Sequence, residues 1–308
     1  MDWLKLKTAA ETARQTPILK RFDDASRAAT FSVSAGGLLF DYSKTAMDAG
    51  DRALLVDMYQ AAGVSDRRDA MFSGAKINET EGRAVLHTAL RNLSGNPVRV
   101  DGEDVMPGVL STLDRMAAFA EDVRSGIYRV SGGQVTDVVN IGIGGSDLGP
   151  AMATLAMAPY HNGPRTHFVS NVDGAQINDT LLELDPKTTL VIVASKTFTT
   201  IETMTNAETA RRWLSDVVPG AEIGRHFAAL STAADKTAAF DIHPDRVFGF
   251  EDWVGGRYSM WGPIGLSLMI ALGDTAFRAF LQGGEAMDQQ FRAADPLENM
   301  PVMLALIG

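Results

Sequence analysis

Apolar positions follow two rhythms along this chain. Up to about residue 125 they recur at three- and four-residue steps, the spacing of one helix face. That rhythm predicts helices over residues 1–28 and 44–62, with a short strand around 37–40 between them. A charged knot, Asn78-Glu79-Thr80-Glu81-Gly82-Arg83, precedes a helix expected over 83–91. Residues 94–107 are polar and turn-rich and read as a linker. Over 108–125, Val109, Leu110, Leu113, Met116, Ala117, Ala120 and Val123 share one face of a further helix.

From Gln134 the rhythm changes to short apolar runs alternating with helical stretches. Strands are expected at 137–141, 166–169, 190–194, 226–230 and 246–248. Helices are expected at 151–158, 175–184, 201–214 and 233–240. Runs that are apolar throughout are buried on both faces, as in a parallel sheet, and strands joined by helices cross over right-handedly. The expected fold class is therefore α/β, a five-stranded parallel sheet with helices on both faces. Helical patterns follow at 261–272 and 275–292 and again near Glu298. The last stretch, MPVMLALIG (300–308), has no polar face, so it is expected to be buried on most sides. Because natural termini are usually polar and exposed, the chain is expected to continue beyond Gly308. Three regions result: a mainly helical one over 1–107, the α/β domain over 108–273, and the start of a truncated second domain over 274–308.

Composition narrows the function. Apolar residues make up 45% and charged residues 21%, as in ordinary globular proteins. A net charge of −10 without a basic stripe argues against a nucleic-acid partner. The absence of cysteine excludes disulfides and thiolate chemistry. His87, His161, His167, His226 and His243 do not approach metal-ligand spacing, so no metal is expected. The first fifteen residues carry charges throughout, unlike a signal peptide, and no uncharged apolar run reaches membrane-span length. A cytoplasmic setting without a membrane partner is the expectation.

Three turns carry candidate chemistry. In LVIVASKTFTTIETMTN (190–206), Ser195, Lys196, Thr197 and Thr200 fill the junction between a strand's carboxyl end and a helix's amino end. Helix N-termini favour anions, hydroxyls are neutral donors, and Lys196 adds a point charge. The junction reads as a phosphate pocket, or else as a plain capping turn. Glu202 follows one or two residues into the helix, as a cleft acceptor or as a complement to the dipole. The second turn, Gly142–Pro150, lacks the dinucleotide fingerprint, since Asp147 stands where the third glycine is needed, and it lacks a Walker lysine. What remains is a tight turn with close backbone approach and one hydroxyl, Ser146. The third segment, DWVGGRYSMWGP (252–263), presents Arg257 after two glycines, expected to be buried and walled by Trp253, Tyr258 and Trp261. Such an arginine either stabilises an oxyanion or pairs with a carboxylate such as Asp252.

The stretches NIGIGGSDLGP (140–150), SKTFTTIETMTNAET (195–209), VGGRYSMWGPIGLS (254–267) and INETEGRAVLHTALRN (77–92) resemble the motifs of the phosphoglucose isomerase family, in the family's order. The resemblance covers most of 41–308. It implies that the sheet belongs to a sugar-isomerase (SIS) domain, a phosphosugar-binding αβα sandwich. It also implies interconversion of glucose 6-phosphate and fructose 6-phosphate through a cis-enediolate, without a cofactor. Carried over position by position, Ser146, Ser195, Lys196, Thr197 and Thr200 match phosphate contacts and Gly145 a backbone contact to the sugar. Arg257 matches the enediolate-stabilising arginine, and Glu202 a carboxylate near the ring-opening histidine. The family's proton-shuttling glutamate, ring-opening histidine and late lysine have no counterpart within these residues. The resemblance thus implies little isomerisation by the 308 residues alone and a homodimer for a full-length protein. Two other functions are weighed against it: a non-catalytic phosphosugar-binding module, and a dehydrogenase, which Asp147 disfavours.

Overall fold

A computed structural model describes residues 3–308. The chain forms two compact units, Met1–Gly82 with Gly283–Gly308, and Arg83–Gln282. The first unit begins with α1 (Trp3–Gln15), α2 (Ile18–Arg21) and α3 (Arg27–Thr30). The helix expected over 1–28 is therefore in three pieces, and its first two residues lie outside the described ones. Pro17 explains the first break, because it supplies no amide hydrogen and restricts the residue before it. A hairpin follows, β1 (Ser32–Ala35) with β2 (Leu38–Asp41), turning at Gly36–Gly37, where one strand was expected. Next come α4 (Ala49–Ala61), which starts later than expected at a capping box between Asp48 and Asp51, and α5 (Val64–Phe72).

The second unit opens with a correction. Residues 83–91 are not an α-helix; only a short 3-10 turn forms at Ala89–Arg91. Ala84, Leu86, Ala89 and Leu90 instead insert into a small core with Met106, Val109, Trp253 and Val254. Those tertiary contacts outweigh the local periodicity. They also place 83–107 in the same unit as the sheet. The expected linker holds a small hairpin, β3 (Arg99–Val100) with β4 (Glu103–Asp104), and then α6 begins (Met106–Ser125). A second small hairpin, β5 (Arg129–Val130) with β6 (Gly133–Gln134), leads into the sheet.

The sheet strands are β7 (Asp137–Ile141), β8 (Arg165–Val169), β9 (Thr189–Ala194), β10 (Phe227–Leu230) and β11 (Val247–Phe248). They alternate with α7 (Leu148–Ala156), α8 (Gly174–Leu182), α9 (Ile201–Ser215) and α10 (Ala234–Ala239). All pairings are parallel, in the order β11-β10-β9-β7-β8. The five expected strands are therefore all present. Period-2 alternation sends their side chains to two cores. Val138, Leu190, Ile192, Ala228 and Leu230 pack with α6 and α11 (Leu266–Leu272). Val139, Ile141, Val191, Val193, Phe227 and Ala229 pack with α8 and α9.

The apolar helix expected over 261–272 is shorter than its pattern. Residues Gly256–Trp261 and Pro263–Gly265 are 3-10 turns, and the α-helix starts only at Leu266. Pro263 denies a helix there its amide hydrogen. Next, α12 (Asp274–Ala293) carries the chain from the second unit back to the first, which ends with α13 (Met300–Ile307). Contrary to expectation, α13 is buried along one stripe only. Met300, Val302 and Met303 are inside, while Leu304 is exposed.

One buried titratable group links the sheet to pH. His226 is fully buried; its Nδ1–H donates to the Thr189 carbonyl at 2.8 Å, and its Nε2 accepts from the Ser131 amide at 3.2 Å. Burial holds its pKa below the ordinary 6.5, against the raising effect of the Thr189 bond. Below about pH 6.5 the unfolded chain takes up a proton that the folded one refuses. Stability from this group is therefore complete above that pH and is lost as pH falls through the window beneath it. Denaturant unfolding at pH 7.5 and 5.5 should show a smaller acid loss for His226→Gln than for the parent chain. Equal losses would contradict the assignment.

Candidate functional site

The order of the sheet decides where a site can form. With β7 and β9 adjacent, the chain leaves β7 toward β8 on one side and leaves β9 toward β10 on the other. Ligands bind open parallel sheets at such a switch point, outside the strands' carboxyl ends. The register pairs Ile141 with Val193, so the glycine turn after β7 and the hydroxyl turn after β9 emerge at the same level.

The hydroxyl turn is not a capping turn. Thr200 occupies the N-cap position of α9 but makes no side-chain cap bond. Its Oγ1 lies 3.2 Å from Ser195 Oγ. The first amides of α9 thus have no capping side chain, and a 15-residue helix points its positive end at that turn. Ser195 is buried, Lys196 half-buried and Thr197 exposed. Thr197 Oγ1 lies 2.7 Å from Thr199 Oγ1.

The turn is also held rigid. The Lys196 carbonyl accepts from the Ser231 and Thr232 hydroxyls, both at 3.0 Å, and from the Thr232 amide. Phe198 adopts φ 52°, costly for a residue with a large side chain, yet it is buried with its ring edge-on to Phe240 at 5.8 Å. Strained backbone of this kind persists where the surroundings over-determine it. A second cation, Lys236, reaches the Thr197 carbonyl with its Nζ at 3.1 Å. The sequence reading missed both Phe198 and Lys236. A lone phenylalanine in a polar turn was the available signal for the first. Lys236 had none, because it arrives from the next helix.

On the glycine turn, Asn140 Nδ2 donates to the Ser146 carbonyl at 3.1 Å and fixes the turn from inside β7. Burial raises the pKa of Asp147, and a hydrogen bond with Ser170 partly offsets that rise. The turn lies directly against the arginine segment. A Cβ at Gly145 would stand 2.3 Å from the Gly256 carbonyl oxygen, backbone against backbone, so only glycine fits. Gly256 itself has φ +69°, which a side chain rarely adopts.

The arginine segment corrects the sequence reading. Arg257 is exposed rather than buried, and Tyr258 beside it is 68% exposed. Trp253 is buried in the small core with Leu86 and Leu90, and Trp261 stacks on Phe280. The aromatic wall expected from three rings is absent because two of them serve packing. The Asp252 pairing also fails, since Asp252 faces Arg83 at 3.9 Å. The Arg257 side chain makes no hydrogen bond or ion pair among the described residues. Lys196 ties the arginine segment to the hydroxyl turn, with Nζ 3.3 Å from the Glu251 carbonyl and 3.4 Å from that of Val254. Glu202 stands half-buried in the first turn of α9.

The structure therefore brings the three turns together. Hydroxyls, uncapped amides and an ammonium suit a dianionic oxygen group at one end. The segment that carries Arg257, whose side chain is without a partner among the described residues, stands at the other.

The family profile described as phosphoglucose isomerase matches residues 41–308. A protein named glucose-6-phosphate isomerase from Cereibacter sphaeroides is 65% identical over 306 residues, 99% of this chain and 57% of that protein. One of the same name from Roseobacter denitrificans is 63% identical over 99% of this chain and 56% of its own length. The chain thus spans little more than half the length of the curated relatives it matches. Among solved structures, a glucose-6-phosphate isomerase from Chlamydia trachomatis superposes with a TM-score of 0.82 at 29% identity, over 92% of this chain and 54% of that one.

Proposed function

The chain belongs to the phosphoglucose isomerase family, and from that membership we propose that it carries the phosphate cradle and the enediolate arginine of an aldose–ketose isomerase acting on glucose 6-phosphate and fructose 6-phosphate. The observation that carries this reading is the meeting of three turns: Gly145 against Gly256, and Lys196 against the carbonyls of Glu251 and Val254. In this reading Ser146, Ser195, Lys196, Thr197, Thr200 and the first amides of α9 hold the phosphate. The phosphosugar-binding part is residues 108–273. The Gly145 backbone lies along the sugar.

After ring opening, a base takes the proton from C2 of the aldose. The C–H electron pair becomes the C1–C2 double bond as the C1 carbonyl π pair moves onto O1, giving a cis-enediolate. Arg257 stabilises that negative charge, a proton passes from the C2 hydroxyl to O1, and the proton taken from C2 is returned to C1 as C2=O forms, giving the ketose. Glu202 stands beside the ring-opening group. By the resemblance, the base, the ring-opening histidine and a late lysine lie outside these 308 residues. A cytoplasmic homodimer is part of the same proposal, and the reaction needs no cofactor.

The cradle is tested by titration. Lys196→Ala should weaken binding of glucose 6-phosphate to the chain by about tenfold or more, the loss of one charge-assisted contact. Arg257→Ala should leave the phosphate contribution in place. Unchanged affinity in Lys196→Ala would overturn the cradle assignment.

A further inference from the structure

His87 lies in the segment 77–92, which the isomerase reading leaves without a chemical role. In the folded chain it meets the arginine segment across 168 positions of sequence. Its Nε2 stands 2.7 Å from the Gly255 carbonyl oxygen and 3.2 Å from the Gly255 amide nitrogen. A neutral imidazole with its proton on Nε2 donates to the carbonyl. With the proton on Nδ1, the same Nε2 accepts from the amide. Either tautomer therefore ties down Gly255. The ring also meets Tyr258 edge-on, with centroids 5.9 Å apart. One side chain thus touches the residue two before Arg257 and the residue just after it.

The need for such a tie is visible in the segment. Gly255 and Gly256 are exposed and lack side chains that would anchor them. A Cβ at either would meet nothing within 4 Å. Gly145 lies against the Gly256 carbonyl and the Ser259 hydroxyl donates to it at 2.7 Å, so the tie that His87 adds is the one at Gly255. Two adjacent glycines before an exposed arginine have large backbone freedom to lose. The contact therefore belongs to the geometry of the guanidinium. Burial holds the pKa of His87 below the usual imidazole range, although the Gly255 bond acts the other way, so the ring stays neutral near pH 7.

We infer that His87 is a positioning residue for Arg257, clamping the Gly255–Tyr258 backbone so that the guanidinium faces the place where enediolate charge forms. The inference rests on the isomerase reading for the charge that Arg257 meets, but the clamp itself can be measured without any ligand. Misplacement of a catalytic group by about 1 Å costs up to roughly a hundredfold, so losing the clamp should be felt through Arg257 alone.

The experiment uses the 308-residue chain and three variants, His87→Ala, His87→Gln and Arg257→Ala, together with the His87→Ala, Arg257→Ala double variant. Two probes are titrated. Inorganic phosphate reports the cradle. A five-carbon aldonate phosphate, whose carboxylate stands in for the enediolate, reports the arginine end. Amide hydrogen exchange over Gly255–Tyr258 reports the clamp.

His87→Ala should speed that exchange, leave phosphate affinity unchanged and weaken the aldonate about tenfold or more. The double variant should lose no more than Arg257→Ala alone, because both act through one group. His87→Gln, whose amide reaches Gly255, should recover part of the loss. Unchanged exchange in His87→Ala, an equal loss of phosphate affinity, or additive losses in the double variant each overturn the positioning role. The isomerase reading fails separately, if Arg257→Ala itself does not weaken the aldonate. In that case faster exchange in His87→Ala still establishes the clamp, and unchanged exchange removes it.

Discussion

Replacing Arg257 by alanine should lower kcat by about 10²–10³-fold while leaving KM within a few-fold, which is the loss expected from one missing oxyanion partner. The split follows from when the charge exists. The phosphate is dianionic in substrate and transition state alike, so its ligands stabilise both and set KM. Enediolate charge appears only as the C2 proton leaves, so its stabiliser sets kcat. The position of Arg257 favours this role. Its side chain makes no hydrogen bond or ion pair among the described residues, because Asp252, its nearest candidate in sequence, faces Arg83. The measurement is fructose 6-phosphate isomerisation coupled to oxidation of the glucose 6-phosphate formed. It is made on these 308 residues joined to the remaining segment of the Cereibacter sphaeroides relative. A raised KM with unchanged kcat would assign Arg257 to ground-state binding. Binding without turnover in the unmutated joined chain would make the protein a phosphosugar-binding module instead.

The same assay on the 308 residues alone should show binding without appreciable turnover. A general base is worth about 10²–10⁴-fold, and in the proposed function the base, the ring-opening histidine and the late lysine lie outside these residues. Glu202 is the carboxylate within reach of the reading that deserves the complementary test. It sits in the first turn of α9, where an acidic side chain complements the helix dipole whatever else it does. Turnover approaching an ordinary enzyme rate of about 10 s⁻¹ would mean that the base is present here. Glu202→Gln should then abolish that turnover. If Glu202→Gln left it intact, the base would have to be sought elsewhere in the chain.

Much of the fold was legible because it depends on local pattern. The segments at β7 and β9 are buried at every position, and most of those positions are apolar, Asp137, Asn140 and Thr189 being the exceptions. The face of α6 that meets the sheet carries Val109, Leu113, Met116, Ala120 and Val123 at helical spacing. The three turns were legible too, since glycines, hydroxyls and a lysine at strand-to-helix junctions are uncommon without a use. Where local pattern and tertiary contact disagreed, the contact won. Residues 83–91 carry helical spacing, but Ala84 and Leu86 find a core in an irregular stretch of chain. The 261–272 pattern runs as one helix in sequence, but Pro263 divides it.

By itself, then, the sequence determined the α/β class, the five strands and the likeness to one isomerase family, and it singled out the three turns as candidates. Each of these is written in residues close together along the chain. Only the tertiary structure decided that Arg257 is exposed and unpaired among the described residues, and that Trp253 and Trp261 pack rather than wall it in. It also decided that Lys236 reaches the hydroxyl turn and that His87 holds Gly255. The physical reason is separation. A hydrogen bond between residues 168 positions apart leaves no periodicity, composition or spacing in the chain between them, and it exists only once the sheet order has brought its two ends together.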